Sequence, residues 1–392
     1  MTSVLALASL WFALALAASL AAIYLRVSVA LTEIVVGTGA QWLLGALFGA
    51  AVLGADQPWI AFLAGAGAIM LTFLAGAELD PHVFRRKWRE ATALGVAGFV
   101  LPFLACTAAA RYLLGWGTAA SWLGGIAMST TSVAVVYAVM LESGLNKTNF
   151  GKVILAACFI NDLGTVLALG FIFAPFDLRT LVFAAVAVAA FVAIPWITPR
   201  LFRRHGDLPS ELEAKYLLLI LFGLGGLAGW AGSEAVLPAY VLGLVLAGTV
   251  GRDDRLIRRL RTLTLGLMTP FYFIRAGSFV SVPALIAAPA AFLVMLTFKL
   301  AAKLVGVYPV TVAFGTPRRE AAYTTLMMST GLTFGTISAL FGLSHEIIDP
   351  QQYSALVAAV VATAVVPTLI ANALFLPRHL LAKHPEVVEE DA

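Results

Sequence analysis

The sequence Met128-Ser129-Thr130-Thr131 recurs in closely similar form as Met328-Ser329-Thr330-Gly331. Each stretch places hydroxyl and small side chains in an otherwise apolar run, and the second continues with Thr333, Gly335 and Thr336. Such residues weaken the helical hydrogen-bond ladder and supply groups that satisfy broken backbone. We therefore predict an interrupted helix at each stretch. The alternative is a pair of small-residue packing faces, which helices in bilayers commonly use.

The surrounding chain has the composition of a membrane protein. Of its 392 residues, 61 % are hydrophobic and 12 % are charged, and the mean hydropathy is +0.95. A soluble domain is about 25 % charged, so this composition excludes a soluble enzyme, and it equally excludes a disordered chain. It also argues against an outer-membrane barrel, whose strands alternate. Long apolar runs predict an all-α polytopic membrane protein. The two cysteines lie in apolar runs and indicate neither a disulfide framework nor a metal site.

Apolar runs between charged or Pro/Gly breaks predict thirteen transmembrane helices. They lie near 4–25, 32–53, 58–77, 91–113, 119–141, 150–173, 178–198, 214–230, 235–250, 262–281, 284–308, 320–342 and 351–376. The two Ser/Thr stretches fall in the fifth and twelfth spans, so the helices that carry them run in opposite directions. Six spans, a linker span and six more spans form two inverted repeats. Transporters with this organisation place the binding site at the midplane, where two interrupted helices face each other.

Basic residues set the predicted orientation, because Lys and Arg accumulate on the cytoplasmic side. Alternating the spans puts 20 of the 25 basic residues on one side, and only Arg111 and Arg179 on the other. The N-terminus is therefore predicted outside and the C-terminus inside. The net charge of +4 is then a topology signal rather than a sign of a nucleic-acid partner. No loop is long enough to fold alone and the tail 378–392 is short, so we expect one membrane domain, 1–392, without a nucleotide-binding or other soluble domain.

One acidic residue lies well inside a predicted span, and this is Asp162. A charge at bilayer depth costs at least about 2.5–3.5 kcal/mol and is a functional candidate by default. The structural alternative is a buried ion pair with a lysine, which is seldom a net gain in stability. A carboxylate beside hydroxyls and freed carbonyls is chemically a site for Na⁺ or K⁺, and it can bind a proton instead. Competition of a cation and a proton for one group is what antiport requires.

Other ionisable groups lie in or near the predicted spans. Lys299 and Lys303 are one helical turn apart on one face of the eleventh span. Glu33 and Glu78 lie near helix ends. Arg275 has three open interpretations: it snorkels to the interface, pairs with an acid such as Glu78, or lines a cavity.

The sequence resembles the bacterial monovalent cation/proton antiporter superfamily over nearly its whole length. The residues that carry the likeness are Thr32 to Gly37, Leu71 to Asp80, Thr130-Thr131-Ser132 followed by Asn161-Asp162, Thr269 to Phe273 with Gly277, Lys303 with Gly306, and Arg318 to Ala321. The resemblance implies a dimer domain, a core domain with two crossing discontinuous helices, a homodimer in the bacterial inner membrane, and transport by rigid-body movement of the core domain.

The resemblance also implies roles for particular residues. Asp162 would carry the ion or the proton, Thr131 would help to coordinate the ion, and Lys303 would be the basic partner. Asn161, Thr130 and Ser132 complete the expected ion-binding set, and Glu78, Arg275 and Thr333 are auxiliary candidates. No cofactor is expected beyond the transported Na⁺ or K⁺ and H⁺, and membrane lipid is an expected partner.

Three departures from the family pattern shape the functional prediction. Electrogenic members carry two adjacent acids, whereas the first position here is Asn161. Electroneutral members usually have arginine where this chain has Lys303. An Arg-Gly-Glu stretch common in the twelfth span is replaced by Gly331-Leu332-Thr333. We expect electroneutral exchange of Na⁺, or of Li⁺ or K⁺, for H⁺ by alternating access, with a potassium/proton antiporter as the alternative and a passive cation channel as a remote one. An intramembrane aspartyl protease needs two carboxylates that share a proton, and we expect no enzyme.

Overall fold

The fold is described from a computed structural model. It describes residues 4–25, 29–48, 53–77, 81–145, 148–173, 177–205, 211–233, 235–287 and 289–380, and within these ranges the regular structure is helical throughout. Because a bilayer offers no water to unpaired backbone groups, helices that satisfy their own backbone are the expected solution for so apolar a chain. The all-α prediction is confirmed.

Seventeen α-helices make up the described chain. The first nine are α1 (Val4–Leu25), α2 (Val29–Phe48), α3 (Pro58–Ala77), α4 (Pro81–Ala108), α5 (Thr118–Ser129), α6 (Val133–Ser143), α7 (Asn149–Phe173), α8 (Leu178–His205) and α9 (Leu212–Trp230). The others are α10 (Val236–Leu246), α11 (Asp254–Leu263), α12 (Thr269–Ser278), α13 (Val282–Ala287), α14 (Pro289–Ala313), α15 (Arg318–Met328), α16 (Thr333–Ser344) and α17 (Pro350–Ile370). Single π-helical turns, Ala109–Leu113, Thr264–Met268 and Ala371–Phe375, extend α4, join α11 to α12 and extend α17.

Ten helices or helix pairs in the described chain are long and apolar enough to cross a membrane. This establishes a polytopic protein, and the count of thirteen spans stays a prediction. The helix pair from Arg318 to Ser344 is the most enclosed of the ten, with 83 % of its most apolar window buried, whereas the value for α8 is 17 %. The twelfth predicted span is therefore central, and α8 presents most of its surface outward.

Both predicted interruptions are present. The fifth predicted span is broken between α5 and α6, where Thr130 leaves the helix in an extended conformation (φ −63°, ψ 152°). The twelfth is broken between α15 and α16, where Leu332 takes non-helical angles (φ −152°, ψ −72°). Each half has only 11 or 12 residues, and a spanning helix needs about 20. Neither half can cross alone, so each pair places two helix ends inside the membrane.

The most extensive helix–helix contacts fall into two groups. In the first, α2 and α3 pack on α12, and α3 also packs on α10. In the second, α4 packs on α5, α7 and α14, and α17 packs on α14 and α16. Both broken helices belong to the second group. We refer to the first group as the α3 group and to the second as the α4 group.

Close backbone approach holds α2 against α12. A Cβ atom on Gly37 would overlap the carbonyl oxygen of Ile274, and one on Gly277 would overlap that of Ile34. The hydroxyl of Thr38 donates to the carbonyl of Gly277 at 3.0 Å across the same contact. Small residues at such crossings are the usual means of helix association in bilayers. This contact keeps α12 fixed within the α3 group.

Candidate functional site

The two helix breaks lie against each other and are joined by hydrogen bonds. The backbone N–H of Ser132 donates to the carbonyl of Thr330 at 3.0 Å. The hydroxyl of Thr131 donates to the carbonyl of Met328 at 2.8 Å. Interrupting a helix leaves backbone groups without intrahelical partners, and here each break supplies partners to the other. These two hydrogen bonds hold the two breaks together inside the α4 group.

Helix α7 carries the candidate carboxylate beside this crossing. The side chains of Asn161 and Asp162 are both fully buried. The amide of Asn161 donates to the carbonyl of Ser129 at 3.3 Å, which ties α7 to the end of α5. Both carboxylate oxygens of Asp162 are buried without a hydrogen-bond partner among the described residues. A buried charged group is normally paired and hydrogen-bonded, so Asp162 is a carboxylate with its oxygens available for a cation or a proton.

The candidate basic partner, Lys303, is also fully buried, on α14. Its ammonium donates to the hydroxyl of Thr131 at 2.8 Å. It interacts electrostatically with Asp162, but within the described ranges no ion pair of 4.0 Å or less joins the two. The lysine therefore contacts the ion-binding candidate Thr131 directly and leaves the carboxylate oxygens without an ion-pair contact.

A second buried ammonium stands beside the break in the twelfth span. Lys299, one turn before Lys303 on α14, is fully buried and donates to the hydroxyl of Thr363 at 3.1 Å. A Cβ atom on Gly331 would overlap its Nζ atom, and the Thr130 hydroxyl lies 3.1 Å from the same position. The lysine ammonium therefore occupies the space that a side chain at 331 would take, and a larger residue there would displace it. The sequence analysis noted Lys299 as an ionisable residue inside a span but assigned it no role. The structure places it at the crossing of the two breaks.

The remaining ion-binding candidates lie at the helix breaks, and the hydroxyls of Thr130 and Ser132 form hydrogen bonds with nearby backbone groups. The hydroxyl of Thr130 donates to the carbonyl of Ala127 at 3.1 Å. The Ser132 hydroxyl accepts from the backbone N–H of Val135 at 3.3 Å. Thr333 is buried at the first position of α16. Thr130 and Ser132 thus contribute to the geometry of the crossing, and Thr131 is the candidate whose hydroxyl contacts both another helix break and a lysine.

The auxiliary candidates lie elsewhere. Arg275, on α12, donates through Nε to the carbonyl of Ala55 at 2.8 Å and lies 4.8 Å from the ring centre of Phe279. It also lines a cavity of about 180 Å³ between α3, α10, α12 and α16. Of the three interpretations, the structure supports the cavity-lining one, and Glu78 lies outside the described residues. Glu33 is buried on α2, in the α3 group.

Two neighbours of Asp162 were given no role at the site by the sequence analysis. Tyr240, on α10, is fully buried, donates to the carbonyl of Phe159 at 2.9 Å and interacts electrostatically with Asp162. The thiol of Cys158 lies one turn before Asp162, 3.6 Å from the sulfur of Met328. A tyrosine hydroxyl in an apolar helix needs a partner, and this signal was available for Tyr240 in the sequence. Both cysteines are free, as expected.

The assembled chemistry is that of oxygen ligands around one buried carboxylate. Among the described residues, no cluster of three or more His, Cys, Asp or Glu side chains is present. Hydroxyl, carbonyl and carboxylate oxygens are the ligands of hard cations. Interrupted helices that meet around such a group are the architecture of secondary transporters. The fold and the site define the chain as a membrane transporter.

Comparison with known proteins agrees with this class. The family model for the transmembrane region of sodium/hydrogen exchangers matches residues 13–376. The chain belongs to this sodium/hydrogen exchanger family. The match includes both helix breaks, Asp162 and both buried lysines.

Relatives with described functions are similar over most of the chain. Cation/H(+) antiporter 15 of Arabidopsis thaliana is 29 % identical over 80 % of this chain and 40 % of its own length. The probable Na(+)/H(+) antiporter 3 of Methanocaldococcus jannaschii is 24 % identical over 84 % of this chain and 87 % of its own length. The glutathione-regulated potassium-efflux system protein KefC of an Enterobacter species is 25 % identical over 89 % and 59 %. The chain thus spans less than half of the Arabidopsis relative.

A solved structure shares the fold. The sodium proton antiporter MjNhaP1 from Methanocaldococcus jannaschii, at pH 8, superposes with a TM-score of 0.73 and 15 % sequence identity, covering 97 % of this chain and 99 % of that chain. The likeness extends over nearly the whole length of both chains.

Proposed function

We propose that this chain exchanges a monovalent cation for a proton across the membrane, with Asp162 as the group that both ions use in turn. The observation that carries the proposal is the pair of buried, unpartnered carboxylate oxygens of Asp162 beside two interrupted helices. Leaving an isolated carboxylate ionised in a low-dielectric interior is costly, and a bound cation or a bound proton each removes the charge. Membership of the sodium/hydrogen exchanger family supports the proposal.

Thr131 is the proposed second ligand. Its oxygen donates its hydrogen to the Met328 carbonyl and accepts from Lys303, and a hydroxyl has two lone pairs. One lone pair is left for a cation that also contacts Asp162. Thr131 would then couple the cation to both the helix crossing and Lys303. Asn161 holds α7 in register through its bond to Ser129.

Sodium is the proposed cation, and potassium is the second candidate. The same oxygen ligands accept both ions, and cavity size distinguishes them. The similar proteins include a probable sodium/proton antiporter and a potassium-efflux system, so both cations are represented in the names of the relatives. Flux measured in proteoliposomes with Na⁺, Li⁺ and K⁺ under a pH gradient separates them. Proton movement driven by K⁺ but not by Na⁺ would replace the sodium proposal by the potassium one, and flux of each ion without counter-movement of protons would indicate a channel.

Transport is proposed to be electroneutral. The site offers one central carboxylate, since Asn161 stands where a second acid would be, and one cation or one proton neutralises it equally. The competing scheme uses Lys303 as a second proton carrier, which would make each cycle carry net charge, worth about 2.3 kcal/mol at 100 mV. A potassium-diffusion potential imposed with valinomycin, with Na⁺ as substrate, distinguishes them. Rates that are indifferent to the potential support one-for-one exchange, and a strong dependence on its sign contradicts it.

The assembly and the location are part of the same proposal. The chain is proposed to be a homodimer in the bacterial inner membrane, with the N-terminus outside, and to move the α4 group as a rigid body against the α3 group. The predicted positive-inside bias supports the orientation. Large exposed apolar side chains on α1 and α8, such as Leu16, Leu181 and Val192, are consistent with contact to lipid or to a second copy.

A further inference from the structure

An apolar groove of about 480 Å³ lies on the outer side of the α4 group, between α14, α15 and α17. Its volume is within the range of about 300–1,000 Å³ that is typical of ligand sites. The residues that line it include Thr297, Ala301, Leu304, Tyr308, Ser329 and Phe375. The groove is separate from the buried carboxylate and belongs to none of the roles assigned above.

The groove faces the bilayer and offers few polar groups. Leu304 is 57 % exposed, and Val366 and Ile370, on the opposite wall, are exposed as well. The hydroxyl groups at its base are already bonded, because Ser329 donates to the carbonyl of Thr325 at 2.7 Å and Thr325 donates to that of Ala321 at 2.8 Å. An occupant at the base of the groove therefore gains mainly from apolar contact.

The length of the groove matches one leaflet of the membrane. Thr297 and Tyr308 mark its two ends along α14, eleven residues apart. At a rise of about 1.5 Å per residue this is about 16 Å, roughly half of the ~30 Å hydrocarbon core. A single acyl chain of one leaflet therefore fits the groove along its axis.

Positive charge stands at one end of the groove. Arg319 donates through its guanidinium to the carbonyl of Leu374 at 3.2 Å, next to the groove residue Phe375. Arg318, its neighbour in the sequence, is exposed. Arg378 is also exposed and follows shortly after the π-helical turn Ala371–Phe375, which borders the groove. An anionic headgroup attached to a tail in the groove would lie near these guanidinium groups.

We propose that this groove is a binding site for an anionic glycerophospholipid of the surrounding bilayer, with one acyl chain between α14, α15 and α17 and its phosphate at Arg318 and Arg319. The tail contacts Ser329, the first residue of the break in the twelfth span, so the lipid stabilises the packing around that break. The site does not depend on which cation the protein carries.

The tail contact is tested by filling the groove. The variant Ala301→Trp places a large ring in it, and Ala108→Trp, at an exposed position on α4, is the matched control. Native mass spectrometry of each protein in detergent is followed as phosphatidylglycerol is added. We expect one tightly held lipid per chain in the wild type and in Ala108→Trp, and its loss in Ala301→Trp. Equal retention in Ala301→Trp would overturn the groove assignment.

The headgroup contact is tested by charge. In the double variant Arg318→Gln/Arg319→Gln, the affinity for phosphatidylglycerol should fall about 30-fold, at about 1 kcal/mol for each basic residue near an anionic lipid. The affinity for phosphatidylcholine should change little. Arg204→Gln, at an exposed residue on α8, is the control. The proposal would be contradicted if the wild type retained phosphatidylcholine as well as it retains phosphatidylglycerol. It would also be contradicted if the double variant still preferred phosphatidylglycerol to phosphatidylcholine. Neither result bears on cation exchange.

Discussion

Replacing Thr131 by valine removes one hydroxyl that links a buried lysine to the break in the twelfth span. Two hydrogen bonds are lost, one from the Lys303 ammonium at 2.8 Å and one to the Met328 carbonyl at 2.8 Å. A bond to a charged group contributes about 1.5–3 kcal/mol and a neutral one about 0.5–1.5 kcal/mol. The expected loss in free energy of unfolding is therefore roughly 2–4.5 kcal/mol. With an unfolding entropy of about 2.1 cal/mol/K per residue over 392 residues, the melting temperature should fall by roughly 2.5–5.5 °C.

Thermal unfolding of the purified protein in detergent measures this effect, and Thr131→Ser, which keeps the hydroxyl, is the matched control. We expect the serine variant to melt close to the wild type. In a Lys303→Met background the cost of Thr131→Val should shrink to that of the Met328 bond, about 1 kcal/mol, because the charged donor is gone. Equal melting of the valine variant and the wild type, or the same cost in both backgrounds, would refute the link between Thr131 and Lys303. The valine variant should also bind the transported cation more weakly, since one oxygen ligand is deleted at constant shape.

Two further changes test other parts of the structure by the same melting assay. Gly331→Ala should destabilise by up to about 3 kcal/mol, because the new methyl group displaces the end of the flexible Lys299 side chain from its hydrogen bond to Thr363. Gly39→Ala, where a Cβ meets nothing within 4 Å, should be neutral or slightly stabilising. Equal melting temperatures of the two variants would contradict the reasoning that the Lys299–Thr363 bond depends on the free space at Gly331. Asp349→Ala should lower the free energy of unfolding by about 0.5–2 kcal/mol. It removes the capping box at the start of α17, in which the Asp349 carboxylate accepts from the backbone N–H of Gln352 at 2.7 Å. An unchanged melting temperature would show that this helix end does not limit stability.

The helix breaks were predictable because their cause is local. Hydroxyl and glycine residues within an apolar run compete with the helical ladder, and the helices end at Ser129 and Met328 as the two stretches predicted. The candidate carboxylate was predictable for a similar reason, since the cost of a charge at bilayer depth marks Asp162 from its neighbours alone. Local composition and the energy scale of the bilayer were sufficient for both.

The contacts between these elements were not predictable, because they depend on how helices cross. Sequence spacing showed only that Lys299 and Lys303 share one face of a helix, and the family resemblance implied that Lys303 is the basic partner of the site. Neither showed that Lys303 contacts the Thr131 hydroxyl or that packing of α14 places Lys299 beside Gly331 and Thr363. Arg275 illustrates the same limit, because its acceptor is a backbone carbonyl in a loop 220 residues away. Such a partner carries no signal in its side chain.

The central claim is that one carboxylate carries both ions, and a flux measurement with Asp162→Asn tests it most directly. The amide keeps the volume and removes the titratable charge. Three purified proteins are compared, the wild type, Asp162→Asn and the control Glu33→Gln. The control changes a buried carboxyl on α2 in the α3 group. Each protein is reconstituted in proteoliposomes with an imposed pH gradient, and Na⁺-driven proton movement is recorded. The account predicts exchange in the wild type and in Glu33→Gln, and no exchange above protein-free liposomes in a folded Asp162→Asn protein. Exchange at the wild-type rate in Asp162→Asn would contradict it.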